Sequence, residues 1–245
     1  MMKRTLVAII LISGVMITCD ENVEVGDVLY NLKLEEKETP ADGQSTIKIT
    51  VNLNDRSSAD RRSVIFATTA GTFTSSSTSK YTAKAEFLDG LLTATATLRA
   101  PVSPGKIGIS VQPEFDSPIK DFIVSDTIEA VKSSPATIHL EASALGLSGN
   151  FLTEVRLEGL LKNDKGKNVS KGAKVAFEDF LQDGTKANGR YRQLQLASSD
   201  TSYVTSYYGA PFYPIGTNIK IRVTVLNDVG AKTNVKDSLL LTVNQ

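Results

Sequence analysis

STIKITVNLND, residues 45–55, places an apolar side chain at every second position: Ile47, Ile49, Val51 and Leu53. Lys48 and Asn52 fall between them. A period of two puts the apolar residues on one side of an extended chain and the polar ones on the other. A helix would need spacings of three and four, which this stretch lacks. Ile47, Ile49 and Val51 are also β-branched, which suits a pleated, half-buried surface. The stretch reads as a strand of an antiparallel sheet, with one face on a core and one in water.

The same period recurs to either side. VLYNLKLEE (28–36) puts Val28, Tyr30, Leu32 and Leu34 in phase. SVIFATT (63–69) is a short, mostly apolar run, and KYTAKAEFLDG (80–90) and LLTATATLRA (91–100) flank Asp89-Gly90, a strong hairpin signal. KIGISVQPE (106–114) and IKDFIVSD (119–126) follow. SDTIEAVKSSP (125–135) is the expected junction, and a second set of strands begins after Pro135. In that set Ile138, Leu140 and Ala142 share a phase, as do Val155, Leu157 and Leu161, and then Val175, Phe177 and Leu181. RYRQLQLAS (190–198) carries Leu194 and Leu196. Ile219, Ile221, Val223 and Val225, then Leu239, Leu241 and Val243, complete it. Many short strands in two similar halves predict an all-β chain of two tandem antiparallel β-sandwiches, residues 26–130 and 131–245.

One family fits the first half. Asp42-Gly43-Gln44-Ser45 opens a Ser/Thr strand that ends in Asp55; Val64–Thr69 leads to a turn at Gly71-Thr72-Phe73; Gly90 precedes the Thr/Ala alternation up to Leu98. In this order the elements resemble a bacterial Ig-like domain of the invasin and intimin type, over about residues 24–130. LKNDKGKNVSKGAKVAF (161–177) resembles the same repeat, while the loop after Phe177 and the segment around Tyr203 depart from it. The resemblance implies rigid spacers or adhesive modules on a cell surface, and fold alone does not decide between them.

The first residues bear on location. Lys3 and Arg4 precede TLVAIILISGVMIT (5–18), which is too short for the ~20 residues a helix needs to cross a bilayer. A positive start, a short apolar run and an abrupt polar continuation describe a secretory signal. The run ends in MITC, which resembles the lipobox of bacterial lipoproteins, with Thr18 and Met16 departing from the usual residues. The resemblance implies removal of residues 1–18 and acylation of Cys19, the only cysteine. Residues 19–25 would then form a short linker from the membrane. Two or more acyl chains anchor stably, since each buried methylene contributes ~0.8 kcal/mol. Asp20-Glu21 resembles a surface-export signal of Bacteroidetes lipoproteins, whereas in enterobacteria Asp at that position favours the inner membrane. The expected address is therefore the cell envelope, the outer membrane above all, with the face open.

Composition limits the chemistry. Lys plus Arg and Asp plus Glu both number 27, so no basic excess serves phosphate contacts and nucleic acid is not an expected partner. Without cysteine beyond Cys19 the body has no internal disulfide and relies on burial. His139, the only histidine, lies between core-facing Ile138 and Leu140 and is expected to face water. No phosphate loop, dinucleotide fingerprint or zinc spacing occurs, so neither a cofactor nor a metal is expected and the chain reads as non-catalytic. DFLQDGTKANG (179–189) and NDKGKN (163–168) read as turns rather than calcium loops.

TSYVTSYYGAPFYPIG (201–216) is the candidate contact segment, with Tyr203, Tyr207, Tyr208, Phe212 and Tyr213 within eleven residues. Gly209, Pro211 and Pro214 read as loop. Aromatic rings with polar tips suit a binding surface for protein or glycan, although packing of several rings beneath the loop is the plainer expectation. Glycan capture, as in starch-binding lipoproteins, would require Tyr207, Tyr208 and Tyr213 to be exposed together. An accessory role in an envelope machine is a further alternative. Asp126-Thr127-Ile128 and Asp237-Ser238-Leu239 resemble the O-glycosylation triplet of Bacteroidetes, which implies Thr127 and Ser238 as acceptors.

Overall fold

The computed structural model describes residues 25–115 and 122–244. The expected signal peptide, Cys19 and the linker up to residue 24 lie outside the described residues, as does part of the 119–126 stretch. No described helix is long and apolar enough to cross a membrane. Apart from one helical turn at Val25–Val28 and a 3-10 turn at Ala59–Arg61, the regular structure is all β.

The first half holds β1 (Leu29–Leu34), β2 (Glu38–Pro40), β3 (Thr46–Leu53), β4 (Ser63–Thr68), β5 (Thr72–Phe73), β6 (Lys80–Lys84), β7 (Glu86–Leu88), β8 (Leu91–Arg99), β9 (Gly105–Pro113) and β10 (Val124–Val131). The second holds β11 (Thr137–Ala142), β12 (Gly146–Leu147), β13 (Val155–Lys162), β14 (Lys174–Phe180), β15 (Arg190–Tyr191), β16 (Gln195–Ala197), β17 (Tyr203–Gly209), β18 (Asn218–Leu226) and β19 (Lys232–Val243). One sheet of the first sandwich runs β1-β3-β8-β5, with β7 also on β8; the other runs β2-β10-β9-β4-β6. The second sandwich repeats both orders, as β11-β13-β17-β15 and β12-β19-β18-β14-β16. In each, the first strand divides between the sheets and its second piece pairs parallel to the last strand, β2 on β10 and β12 on β19.

The alternating residues become the cores. Ile47, Ile49, Val51 and Leu53 are buried against Leu92, Ala94, Ala96 and Leu98 of β8 and against Phe66 and Phe73. Val155, Leu157, Leu161, Val175, Phe177, Ile219, Ile221 and Val223 form the second core. Asp89 and Gly90 both take positive φ, 50° and 80°, as a tight two-residue hairpin between β7 and β8 requires.

Three expectations need correction. Leu29 rather than Tyr30 is fully buried, with Val28 and Leu32 only partly buried against the core, because Asn31 takes φ 55° and a bulge between Tyr30 and Lys33 flips the phase before Leu34. Residues 80–88 are not one strand. The chain changes sheets at buried Ala85, whose N–H donates to the Arg62 carbonyl, so β6 pairs with β4 and β7 with β8. Residues 125–131 of the expected junction belong to β10, which places Ile128 and Ala130 in the first core.

Candidate binding surfaces and the joint

The two sandwiches meet end to end through the stretch that carried the family resemblance. Asp42 is wholly buried, and its carboxylate accepts the N–H of Gln44 (2.8 Å), the N–H of Ser45 (2.7 Å) and the Ser45 hydroxyl (2.8 Å). Gly43 has φ +68°, and a Cβ there would lie 2.7 Å from a Val102 methyl. The resulting turn presents its outer groups to residues 167–171 of the second sandwich. Lys167 Nζ donates to Ser45 Oγ (3.0 Å), and the Asn168 N–H to Gln44 Oε1 (3.0 Å). The Ser170 hydroxyl donates to the Ala41 carbonyl (2.8 Å) and accepts the Ser133 N–H of the connecting segment (2.9 Å). The Lys171 N–H donates to the Val102 carbonyl (2.8 Å), and Ala41 N–H to Val131 (2.8 Å). Asp-Gly-x-Ser is thus both a turn and half of an interdomain socket.

The aromatic segment does not form one patch. Residues 203–209 are β17, so alternation divides the side chains between two faces. Tyr208 points inward with Val204 and Ser206 and is 0% exposed. Its hydroxyl donates to Asp179 Oδ2 of β14 (3.0 Å), which also accepts the Gly189 N–H (2.6 Å). Its ring lies 4.9 Å from that of Tyr191. Burial, then the nearby Asp179 charge, pushes the Tyr208 phenol well above its usual range. Tyr213 is half-buried and donates to the Ala187 carbonyl (2.8 Å). Tyr207 faces outward, but the Arg192 guanidinium sits 4.2 Å over its ring, held in turn by Glu154 (2.9 and 2.6 Å).

Only Tyr203 (42% exposed) and Phe212 (80%) are open; Tyr203 pairs with Leu160 at one end of the ladder with β13, and Phe212 lies beyond the other end. Phe212 shares its end of the sandwich with exposed Leu152 and Ile215. The exposed, coplanar set of Tyr207, Tyr208 and Tyr213 that sugar stacking needs is not assembled. Sequence reasoning missed Asp179 and Gly189, the polar and steric partners of Tyr208.

The remaining expected positions are plainly placed. Thr127 and Ser238 are exposed, each on the last strand of its sandwich. Asp126 accepts the Thr127 N–H (2.7 Å) and pairs with Lys37. Asp237 accepts the Ser238 N–H (2.7 Å) and the Leu140 N–H (2.9 Å), which bridges the two sheets. His139 is exposed, 3.4 Å from both Glu141 and Asp237. Asp183 accepts the N–H and hydroxyl of Thr185 (2.9 and 2.7 Å), as in an ordinary Asx turn. Among the described residues no three His, Cys, Asp or Glu gather to hold a metal ion.

No family profile and no curated protein matches the chain. Solved structures do. The crystal structure of invasin, a bacterial integrin-binding protein, matches with a TM-score of 0.59 at 18% identity, over 88% of this chain and 39% of that one. The Yersinia pseudotuberculosis adhesin InvE matches over 89% of this chain and 61% of its own at 17% identity, with a TM-score of 0.46. The chain thus spans less than two thirds of either. The invasin match carries the conclusion about fold: both sandwiches are of the Ig-like kind found in invasin-type proteins.

Proposed function

We propose that this chain is a lipid-anchored, non-catalytic module of the bacterial cell envelope, whose paired sandwiches form a stiff structural or adhesive projection. The observation that supports it most is the joint. A spacer or adhesive stalk must hold its far end away from its anchor, and here hydrogen bonds from several positions of one sandwich to the other resist bending. The MITC stretch supports an anchor at Cys19, and the fold shared with invasin, a bacterial integrin-binding protein, supports the surface role. The open residues Tyr203 and Phe212 are the part of the aromatic segment available for contact.

Protease treatment of intact cells tests the reading, with a Cys19→Ala control. Release of the body from intact cells is the expected result and fits adhesion. Protection until the outer membrane is broken would favour an accessory role within the periplasm. Unchanged membrane attachment and processing of Cys19→Ala would overturn the lipid anchor.

A further inference from the structure

The balance of 27 cations and 27 anions conceals an uneven distribution. Residues 26–130 hold 11 Lys and Arg against 14 Asp and Glu; residues 131–245 hold 14 against 10. Much of the second sandwich's excess lies on the outer face of one sheet. Ile219, Ile221 and Val223 of β18 point into the core, as do Val175 and Phe177 of β14. Alternation therefore sends Lys174, Glu178 and Phe180 outward from β14, and Lys220 and Arg222 from β18. Lys236 is the direct cross-strand partner of Thr224 and shares that face. Lys232, at the start of β19, and Lys186, beside the end of β14, reach the same face, because both contact Glu178.

Six cations thus share this face with one carboxylate, Glu178, while Asp228 stands near Lys174 at its edge. Glu178 is held by Lys186 (2.9 Å), Arg222 (2.8 Å) and Lys232 (2.7 Å), so even this anion is spent inward. Lys174, Lys220 and Lys236 are exposed and enter no ion pair among the described residues. Strands about 4.8 Å apart and same-face residues about 6.7 Å apart lay these charges out as a flat grid. Exposed Leu240 lies beside Lys220 in the register.

We infer that this face binds an acidic polysaccharide, one that repeats a carboxylate or sulfate along its length. The charge sign selects an anion, and the regular spacing suits a polymer over a single small ion. A neutral glycan or a single-stranded nucleic acid would need open aromatic faces on which to stack. Here the only ring, Phe180, is covered by Arg222 (4.4 Å) and Lys186 (4.3 Å). The acidic first sandwich repels the same polymer and directs it to the second. This inference goes beyond the envelope role and does not depend on the anchor, since binding by purified protein is read apart from location in cells.

The test is retention of the full chain, in mild detergent, on heparin-agarose and its co-sedimentation with polygalacturonate at low salt. The triple variant Lys174→Gln/Lys220→Gln/Lys236→Gln is expected to bind roughly tenfold more weakly or worse, with unchanged melting temperature. Retention of the parent should fall steeply as salt is raised. Lys48→Gln/Lys80→Gln/Lys84→Gln, which removes as much charge from exposed sites of the first sandwich, should bind like the parent. Absence of parental binding to both polymers overturns the inference, and so does equal loss in the two triple variants. Tighter binding to duplex DNA or to phosphatidylglycerol vesicles than to either polysaccharide overturns it as well.

Discussion

The two sandwiches share a strand order but solve their interiors differently. The first sandwich keeps its buried carboxylate, Asp42, in the turn at the joint and packs Phe66, Phe73 and Tyr81 in ring contact among aliphatic residues. The second places a carboxylate inside, with Asp179 bound to Tyr208 and Gly189 and with Tyr191 against the Tyr208 ring. One interior tolerates changes that keep volume. The other also depends on keeping its polar partners matched, because an unmet buried polar group costs more than a hydrogen bond gains.

The largest effect should come from the apolar side. Phe66→Ala is expected to cost the first sandwich about 3–5 kcal/mol. In calorimetry the second sandwich should keep its own transition. One shifted transition for the whole chain would instead show that the joint fuses both cores into a single cooperative unit.

The polar interior is tested by a group of smaller changes. A Cβ at Gly189 would lie 2.2–2.3 Å from the Tyr208 ring and hydroxyl, so Gly189→Ala should destabilise the second sandwich by roughly 1–3 kcal/mol. Tyr208→Phe strips Asp179 of one donor and should cost about 1–3 kcal/mol. Tyr191→Phe should do the reverse. The Tyr191 hydroxyl is buried without a partner among the described residues, so its removal should leave stability equal or higher in urea melts. If both Tyr variants lose stability equally, the polar pairing does not distinguish this core from the first.

At the joint, Ser170→Ala removes the donor to Ala41 and the acceptor for Ser133. Each such bond contributes about 1 kcal/mol. Both transitions should survive, while small-angle scattering shows a wider spread of interdomain angles. An unchanged scattering curve would mean that the remaining bonds across the joint, from Lys167, Asn168 and Lys171, fix the angle without Ser170.

The smallest effect concerns acid. Partial burial raises the Glu178 pKa, but hydrogen bonds from Lys232, Lys186 and Arg222 outweigh it and bring it from 4.5 to about 2. A carboxylate with a depressed pKa adds stability above its ordinary pKa and loses it as pH falls towards the folded value. The gap in denaturation midpoint between parent and Glu178→Gln should therefore hold from pH 7 to 5 and close between about 4.5 and 2. In the first sandwich Asp126 is held down by one lysine, Lys37, and Asp126→Asn should show a narrower gap. Equal gaps would remove the charge contrast between the two sandwiches.

What could be read from the sequence was whatever repeats locally. Ile47 to Leu53 and Ile219 to Val225 declare strand, face and core by period alone. The interruptions were not legible there. Asn31 and Ala85 look like ordinary strand residues, and only pairing with distant strands reveals a bulge at one and a change of sheet at the other. Tyr208 is an intermediate case. Val204, Ser206 and Tyr208 share a phase that was open to reading, but the nearby glycine and prolines argued for loop, and Asp179 lies far away in sequence. The basic face was hidden for another reason: a zero net charge is a sum, and the sum does not say on which side of which sheet the charges stand.

The parallel pairing of each divided first strand with the last strand has a mechanical consequence. When the two ends of a sandwich are drawn apart, such a pair is loaded in shear, so its hydrogen bonds strain together rather than open one by one. Three residue pairs join β2 to β10, and two join β12 to β19. The second sandwich therefore has the shorter clamp, and under tension it is expected to yield before the first.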